Sequence, residues 1–232
     1  MSGIGESIPN PINGLTYAPE WAGTNVYLAC CEVGQGLDEL YPEEWNLVSA
    51  SAPLRRRTFA SGRYCARAAL AEAGLPAVPL LRATDGAVVW PEGVIGSVSH
   101  TNEWAVAAVA IRDMSDALSL GVDLERIQEL GAGVLKLVAT AGERAELAQA
   151  GSEDWQATAL FSLKESLYKC LRPVCGRFIE FAEVEISDIV SGRPRVSLQS
   201  DDLANLFEPS ALNLRMAVTP GHVFTLAWLR TG

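Results

Sequence analysis

The chain has 232 residues, of which 49% are hydrophobic and 20% charged, as is ordinary for a soluble globular protein that buries a core. Its net charge of −10 argues against non-specific binding to nucleic acid. The longest apolar run, WAVAAVAI at 104–111, is far shorter than the roughly 18 residues that indicate a membrane span.

The termini and cysteines predict a cytoplasmic protein. The first residues, MSGIGESIPNPING, contain neither a basic residue nor an apolar stretch, so a secretory signal is not expected. The five cysteines are odd in number and form no CxxC pair, which favours free thiols in a reducing compartment. Nothing in the sequence indicates obligate oligomerisation, and we expect a monomer.

Positive charge is concentrated in one segment. No Lys or Arg precedes Arg55, whereas seven acidic residues do. Between 55 and 82 there are six arginines and a single acidic residue, Glu72. An acidic protein that gathers its cations in this way is expected to use them on an anion, although a solvated helix face is the simpler alternative.

The first half of the chain predicts a strand, two helices and a set of hairpin strands. The strand covers 24–33, and helices are expected at 37–48 and 52–74, the second ending at Gly74. VPLLRATDGAVVW reads as a hairpin that turns at Asp85-Gly86. VIGSVSH and EWAVAAVAI, which follow it, form the next pair of strands.

The second half repeats this plan without a visible sequence repeat. We expect a strand at 118–127, helices around 132–150 and 153–172, and strands near 183–189, 194–199, 214–219 and 223–230. The predicted fold is therefore α/β in the α+β sense, with two similar halves meeting near 112–121. We place the halves at 1–115 and 116–232.

GVDLE at 121–125 is the first candidate site. Side chains alternate along a strand, so Asp123 and Glu125 project from the same face. Two carboxylates on one face repel each other unless a cation lies between them, and their oxygens suit Mg²⁺ better than Zn²⁺. A strand facing solvent is the alternative. A zinc site is improbable in a chain with two histidines.

FSLKESLYKCL at 161–171 is the second candidate. Glu165 and Lys169 are four residues apart on a helix whose aliphatic seam is formed by leucines. Lys164 lies at the edge of that seam, an unfavourable place for an unpaired charge. The alternative is an ordinary surface pair between Glu165 and Lys169.

GSVSH at 96–100 is the third candidate. Gly96 allows close approach of another group, and Ser99 and His100 end a strand just before a turn. A histidine in this place can contact phosphate oxygens or transfer a proton, and a purely structural histidine is the alternative. The chain contains no G-x-S-x-G motif, Walker A loop or Rossmann fingerprint.

Taken in order, the motifs GSVSH, GVDLE and FSLKESLYK resemble the 4'-phosphopantetheinyl transferase family. RRRTFASGRYCARAAL and WPEGVIGSVSH are similar to its stand-alone, enterobactin-synthase-associated (Sfp-like) branch. The resemblance runs from about 40 to 190, without a departure in the metal motif or the K-E-x-x-x-K core.

The resemblance implies an enzyme that transfers the phosphopantetheine arm of coenzyme A to a serine of a carrier protein. It implies dependence on Mg²⁺, release of adenosine 3',5'-bisphosphate, and two α/β halves related by a pseudo-twofold axis with coenzyme A in the cleft between them. Siderophore, polyketide, nonribosomal peptide and fatty-acid carriers all stay open. The carrier is expected to be an acidic helical bundle that docks on a local basic or apolar patch.

The resemblance also assigns roles to residues. The metal ligands would be Asp123, Glu125 and Glu165, and the catalytic residues would be Glu165, Lys169 and Asp123, with Glu165 as general base directly or through water. Lys164 and Lys169 would hold the pyrophosphate, and Ser99 and His100 would bind phosphate. The 3'-phosphate and adenosine end would meet Arg55, Arg63 and Arg82.

Two other functions are compatible with the same motifs. A catalytically silent module that binds coenzyme A or a carrier would have kept the fold, and loss of a metal carboxylate would favour it. A metal-dependent pyrophosphate hydrolase would use the same carboxylates with water. Labelling of an apo carrier distinguishes all three.

Overall fold

Two three-stranded antiparallel sheets, each with a long helix on one face, form most of the protein. The computed structural model describes residues 26–151 and 153–230. The strands are β1 Val26–Gly36, β2 Val94–His100, β3 Trp104–Ile111, β4 Ala117–Arg126, β5 Val184–Ser187, β6 Arg195–Leu198, β7 Leu212–Val218 and β8 His222–Arg230. The α-helices are α1 Pro42–Asn46, α2 Pro53–Glu72, α3 Ala132–Val138, α4 Ala141–Gln149, α5 Asp154–Cys175 and α6 Asp201–Ala204.

The first sheet has the strand order β1-β3-β2 and packs against α2. Helix α2 begins with proline at its first position, where the missing N–H costs no hydrogen bond. It ends before Gly74, whose φ of 76° suits glycine. Small side chains on the buried face of α2 meet alternate residues of β3, and this pairing forms the core of the first half.

The second sheet has the strand order β4-β8-β7 and packs against α5. The predicted leucine seam of α5 is fully buried in this core, at Leu160, Leu163, Leu167 and Leu171. A separate two-stranded sheet, β5-β6, lies beside α4 and α5. The recurrence of a three-stranded sheet covered by one long helix confirms the predicted α+β fold with two similar halves.

The two sheets pack on each other through a third cluster, built from β3, β4 and β8. Their edge strands β2 and β4 are also joined by side chains, because Ser97 Oγ accepts a hydrogen bond of 3.1 Å from the Val122 amide. This contact brings the GSVSH and GVDLE motifs together. Chain segment 112–116 links the sheets, while the predicted boundary at 115/116 stays a prediction.

The predicted hairpin at 78–90 is present but short. Gly86 has a φ of 90°, and the bridge between Arg82 and Val88 is flanked by hydrogen bonds from the Ala83 amide to the Ala87 carbonyl and from the Val89 amide to the Leu81 carbonyl. Beyond these residues the backbone bonds to side chains instead, because the Leu80 amide donates to Glu44 and the Leu80 carbonyl accepts from Arg63.

Two predicted helices are interrupted. The segment 37–48 forms a short 3-10 turn and then α1, because Pro42 holds the preceding residue Tyr41 in an extended conformation. The segment 132–150 forms α3 and α4. The break comes at Thr140, whose hydroxyl accepts from the Glu143 amide and so begins a new helix.

The first strand, the cysteines and the length of the helices were also subjects of prediction. The first strand begins within the described part at Val26, and residues 24 and 25 of the prediction lie outside the described residues. All five cysteines lie in the described part and are free thiols, as expected. No helix of the described residues is both long enough and apolar enough to cross a membrane.

Candidate active site

Strand β4 supplies two of the three carboxylates. Asp123 is buried, Glu125 is half-buried, and both lie on the face of β4 that meets α5. Gly121 makes the close approach of the two elements possible. A Cβ on Gly121 would lie 2.0 Å from the Ser166 carbonyl oxygen, so a larger residue would push α5 away from the strand.

Helix α5 brings Lys169 to Asp123. The Lys169 ammonium lies 2.6 Å from Asp123 Oδ1 and donates to Ser99 Oγ at 3.0 Å and to the Val122 carbonyl at 3.1 Å. Ser99 also donates to Asp123 Oδ1 at 2.8 Å. One residue from each of the three motifs therefore meets at this point, where the edges of the two sheets lie side by side.

The three carboxylates influence one another. The pKa of Glu125 is raised to about 7, mainly by burial and also by the charges of Asp123 and Glu165, against the opposing effect of Lys169. Burial also raises the pKa of Glu165, with a smaller contribution in the same direction from Asp123. The site therefore carries more negative charge than Lys169 alone can balance.

The donor set fits a hard divalent cation. Among the residues that the structure describes, no three His, Cys, Asp or Glu side chains are gathered closely enough to be a ready-made metal group. Asp123 Oδ2, however, is buried without a hydrogen-bond partner, and such an atom is costly to leave unpaired. Carboxylate oxygens are the ligands that Mg²⁺ prefers, and a cation would neutralise the excess negative charge.

A second group of residues is positively charged. The Arg55 guanidinium lies 3.4 Å from His100 Nε2 at the N-terminal end of α2. Burial lowers the pKa of His100, and Arg55 and Lys169 lower it further. Burial likewise lowers the pKa of Arg55, with a further contribution from Arg82. Like charges held this close together favour an anion between them.

Arg63 interacts electrostatically with Arg55 and Arg82, but its side chain is buried. Its guanidinium donates to the Leu80 carbonyl at 2.6 Å and lies 4.4 Å from the centroid of the Phe59 ring. Burial lowers the pKa of Arg63 to about 10, and Arg82 and Arg55 act in the same direction. Arg63 therefore supports the segment that leads to Arg82, while its predicted contact with a ligand stays a prediction.

Lys164 does not reach this site, which corrects the expectation that it holds pyrophosphate oxygens. Its ammonium is fully buried and lies 2.8 Å from the Glu143 carboxylate. It donates to the carbonyls of Val138, Phe181 and Val184 at 2.9, 2.8 and 3.1 Å. The cation at the edge of the leucine seam is thus satisfied inside the protein.

A cleft of about 790 Å³ extends from Lys169 along the junction of the two halves. The cleft is also lined by Trp90 and Arg172, which were not among the predicted site residues. Arg172 follows Lys169 by three residues on α5 and forms a 3.3 Å ion pair with Asp85 in the opposite half. Helical spacing from Lys169 could have indicated Arg172, whereas nothing local indicated Trp90.

The sequence matches two family models, the first over the half that contains sheet β1-β3-β2 and the second over the half that contains sheet β4-β8-β7. The 4'-phosphopantetheinyl transferase N-terminal domain matches residues 43–110, and the 4'-phosphopantetheinyl transferase superfamily matches residues 119–225. The chain belongs to the 4'-phosphopantetheinyl transferase superfamily. The resemblance seen in its motifs is thereby confirmed.

Several curated relatives are similar to the chain. The 4'-phosphopantetheinyl transferase Svp of Streptomyces mobaraensis is 42% identical over 64% of this chain and 61% of its own length. PptT of Mycobacterium tuberculosis is 34% identical over 63% of this chain and 64% of its own length. Enterobactin synthase component D of Salmonella typhi is 33% identical over 50% of this chain and 47% of its own length. The chain thus spans less than two thirds of the length of these relatives.

Solved structures overlap with part of the chain. The holo-[acyl-carrier-protein] synthase of Neisseria meningitidis is 19% identical and covers 48% of this chain and 97% of its own, with a TM-score of 0.40. The Helicobacter pylori synthase, solved in complex with coenzyme A, is 16% identical and covers 47% and 98%, with a TM-score of 0.37.

Proposed function

We propose that the protein transfers the 4'-phosphopantetheine group of coenzyme A to a serine hydroxyl of an apo carrier protein and releases adenosine 3',5'-bisphosphate. The contact that carries this proposal is the meeting of Lys169 with Asp123 and Ser99. It joins motifs from both halves of a superfamily member at one end of a large cleft.

The positive charges suit the two phosphate regions of coenzyme A. Arg55, Arg82 and His100 would hold the 3'-phosphate, because they interact with one another and form no ion pair with a carboxylate among the described residues. Lys169 would donate to the pyrophosphate in exchange for one of its present acceptors, since it lines the cleft and its side chain is partly exposed. The cleft, which is lined by both Arg82 and Lys169, would hold the rest of the nucleotide.

Asp123, Glu125 and Glu165 would hold Mg²⁺. The bound ion would neutralise charge on the pyrophosphate oxygens as the transfer proceeds. Lys169 would then act on the same charge from the other side, as a fixed donor that needs no reorganisation. In the absence of metal, the Lys169 ammonium donates directly to Asp123 Oδ1.

Glu165 is the candidate general base. Its raised pKa brings the carboxylate closer to the range in which a base accepts a proton near neutral pH. The serine oxygen would form a bond to the β-phosphorus, and the bond from that phosphorus to the bridging oxygen would break. The serine proton would pass to the base, and adenosine 3',5'-bisphosphate would leave with the bridging oxygen.

The direct test is to incubate the protein with coenzyme A, Mg²⁺ and an apo carrier protein and to measure the carrier's intact mass. We expect a gain of one phosphopantetheine, and its loss in Glu165→Gln and Asp123→Ala. Glu72→Gln is a matched control, because Glu72 is an exposed glutamate at the end of α2. Cleavage of coenzyme A without carrier labelling would contradict the proposal in favour of a hydrolase.

A further inference from the structure

Lys164 and Glu143 form a fully buried ion pair that the proposed reaction does not use. Glu143 accepts from the Thr140 amide at 2.7 Å through one oxygen and from the Ile186 amide at 2.7 Å through the other. Lys164 contacts this carboxylate and three carbonyls, so its ammonium has at least as many acceptors as protons. The Lys164 side chain is also fully buried, so a phosphate cannot reach its ammonium.

The pair joins several parts of the second half to α5. The carbonyls that Lys164 holds belong to the end of α3 at Val138, to the 3-10 turn at Phe181 and to the start of β5 at Val184. Glu143 adds the first turn of α4 and a second residue of β5. A single buried contact thus fixes how the chain between 176 and 186 sits on α5.

That chain segment lies beside Glu165. Its Phe181 ring contacts Phe161 at 6.3 Å between centroids, and its Phe178 ring contacts Tyr168 at 5.4 Å. Phe161 precedes Glu165 by four residues and Tyr168 follows it by three, so both are its neighbours on the helix surface. We call residues 176–184 the wall segment, because they flank Glu165 on this side.

We propose that Lys164 is a positioning residue, which holds the wall segment against α5 so that Glu165 and the groups near it keep their places during transfer. The inference rests on the proposed function and deepens it. It assigns to the first lysine of the K-E-x-x-x-K core a role inside the protein rather than on the substrate. It also explains why the charge is buried: an ammonium can hold several carbonyls at once, which no apolar side chain can do.

The experiment compares Lys164→Met with Lys136→Met. Methionine keeps the length of the lysine stem, and Lys136 is an exposed lysine on α3 that makes a matched control. In Lys164→Met we expect kcat for carrier labelling to fall about 10- to 100-fold, since displacement of groups around a site has effects of that order. The KM and the Kd for coenzyme A should change much less than kcat, because the arginines proposed to hold the 3'-phosphate, Arg55 and Arg82, belong to the other half.

Hydrogen exchange gives a second readout that does not depend on activity. Amide exchange in 132–143 and 176–186 should become faster in Lys164→Met and stay unchanged in Lys136→Met. Glu143→Gln keeps the shape of the carboxylate but removes its charge, and it should shift both readouts in the same direction by less. This variant serves if Lys164→Met does not fold.

Several results would overturn the proposal. A folded Lys164→Met with unchanged kcat would show that the wall segment does not position the site. A weaker Kd for coenzyme A with unchanged exchange would make Lys164 a ligand of the substrate. If the wild-type protein labels no carrier, the proposed transferase function fails, and the role of Lys164 in positioning the site fails with it. The exchange comparison would then still show whether Lys164 holds the wall segment against α5.

Discussion

Replacing Glu125 by glutamine should stabilise the metal-free protein at alkaline pH. Burial and the charges of Asp123 and Glu165 raise the pKa of Glu125 from 4.5 to about 7, so its carboxylate resists ionisation in the folded state. A group with a raised folded pKa contributes stability below its unfolded pKa and loses that contribution as the pH rises through the folded value. Wild-type stability from this group is therefore lost between about pH 4.5 and 7.

The size of the effect follows from the shift. A change from 4.5 to about 7 corresponds to roughly 3 kcal/mol in a fully shielded site. Glu125 is only half-buried, and solvent screening reduces this to about 1–2 kcal/mol. For a chain of this size each kcal/mol raises Tm by about 2–4 °C, so Glu125→Gln should melt about 2–8 °C above the wild type at pH 8.

The assay is thermal unfolding in EDTA at pH 5 and pH 8, with Glu72→Gln as the control. The gain should be present at pH 8 and much smaller at pH 5, where the wild-type Glu125 is already protonated. Addition of Mg²⁺ at pH 8 should raise the Tm of the wild type and have less effect on Glu125→Gln, because the variant lacks one of the three proposed ligands.

The reasoning fails if Glu125→Gln melts at or below the wild-type temperature at pH 8 in EDTA. Such a result would mean that burial and the neighbouring carboxylates together do not disfavour the ionised form of Glu125 in the folded protein. A gain of equal size at both pH values would also contradict it, because the stabilisation would then not come from ionisation.

Three further variants probe other parts of the protein. Arg67→Ala leaves the buried Glu44 carboxylate without its 2.9 Å partner and should cost about 3–5 kcal/mol in urea unfolding; a loss below 1 kcal/mol would show that the pair is not a support of the first half. Gly121→Ala places a methyl group 2.0 Å from the Ser166 carbonyl oxygen, so we expect a loss of about 1–3 kcal/mol and slower carrier labelling, and wild-type behaviour would contradict the close contact of β4 with α5. Arg55→Ala should raise the KM for coenzyme A about tenfold with little change in kcat, and an unchanged KM would remove Arg55 from the substrate site.

The sequence predicted the elements whose signals are local. Periodicity predicted the strands that carry GSVSH and GVDLE and the leucine seam of α5. Periodicity together with the stop signal Gly74 predicted the long helix α2. The closeness of Asp123 to Lys169 was expected only from the family resemblance. Helical and strand spacing could place each residue on a face but could not say which faces meet.

Two of the failures, the length of the hairpin and the place of Lys164, come from competition by distant side chains, whereas the two interrupted helices have local causes. Arg63 and Glu44 bond to the Leu80 carbonyl and amide, so the hairpin pairing ends at Leu81. Lys164 lies at the edge of the leucine seam, and the family resemblance assigned it to the pyrophosphate. Its partner Glu143 lies on another helix, and no local pattern in the sequence connects the two.

The most direct test of the central claim is the balance between carrier labelling and nucleotide release. The wild-type protein, coenzyme A, Mg²⁺ and apo carrier are mixed, and labelled carrier and adenosine 3',5'-bisphosphate are counted by mass spectrometry in the same samples. The proposed function predicts one nucleotide released for each carrier that gains a phosphopantetheine, and neither product with Glu165→Gln. Nucleotide release without labelled carrier, or full labelling by Glu165→Gln, would contradict it.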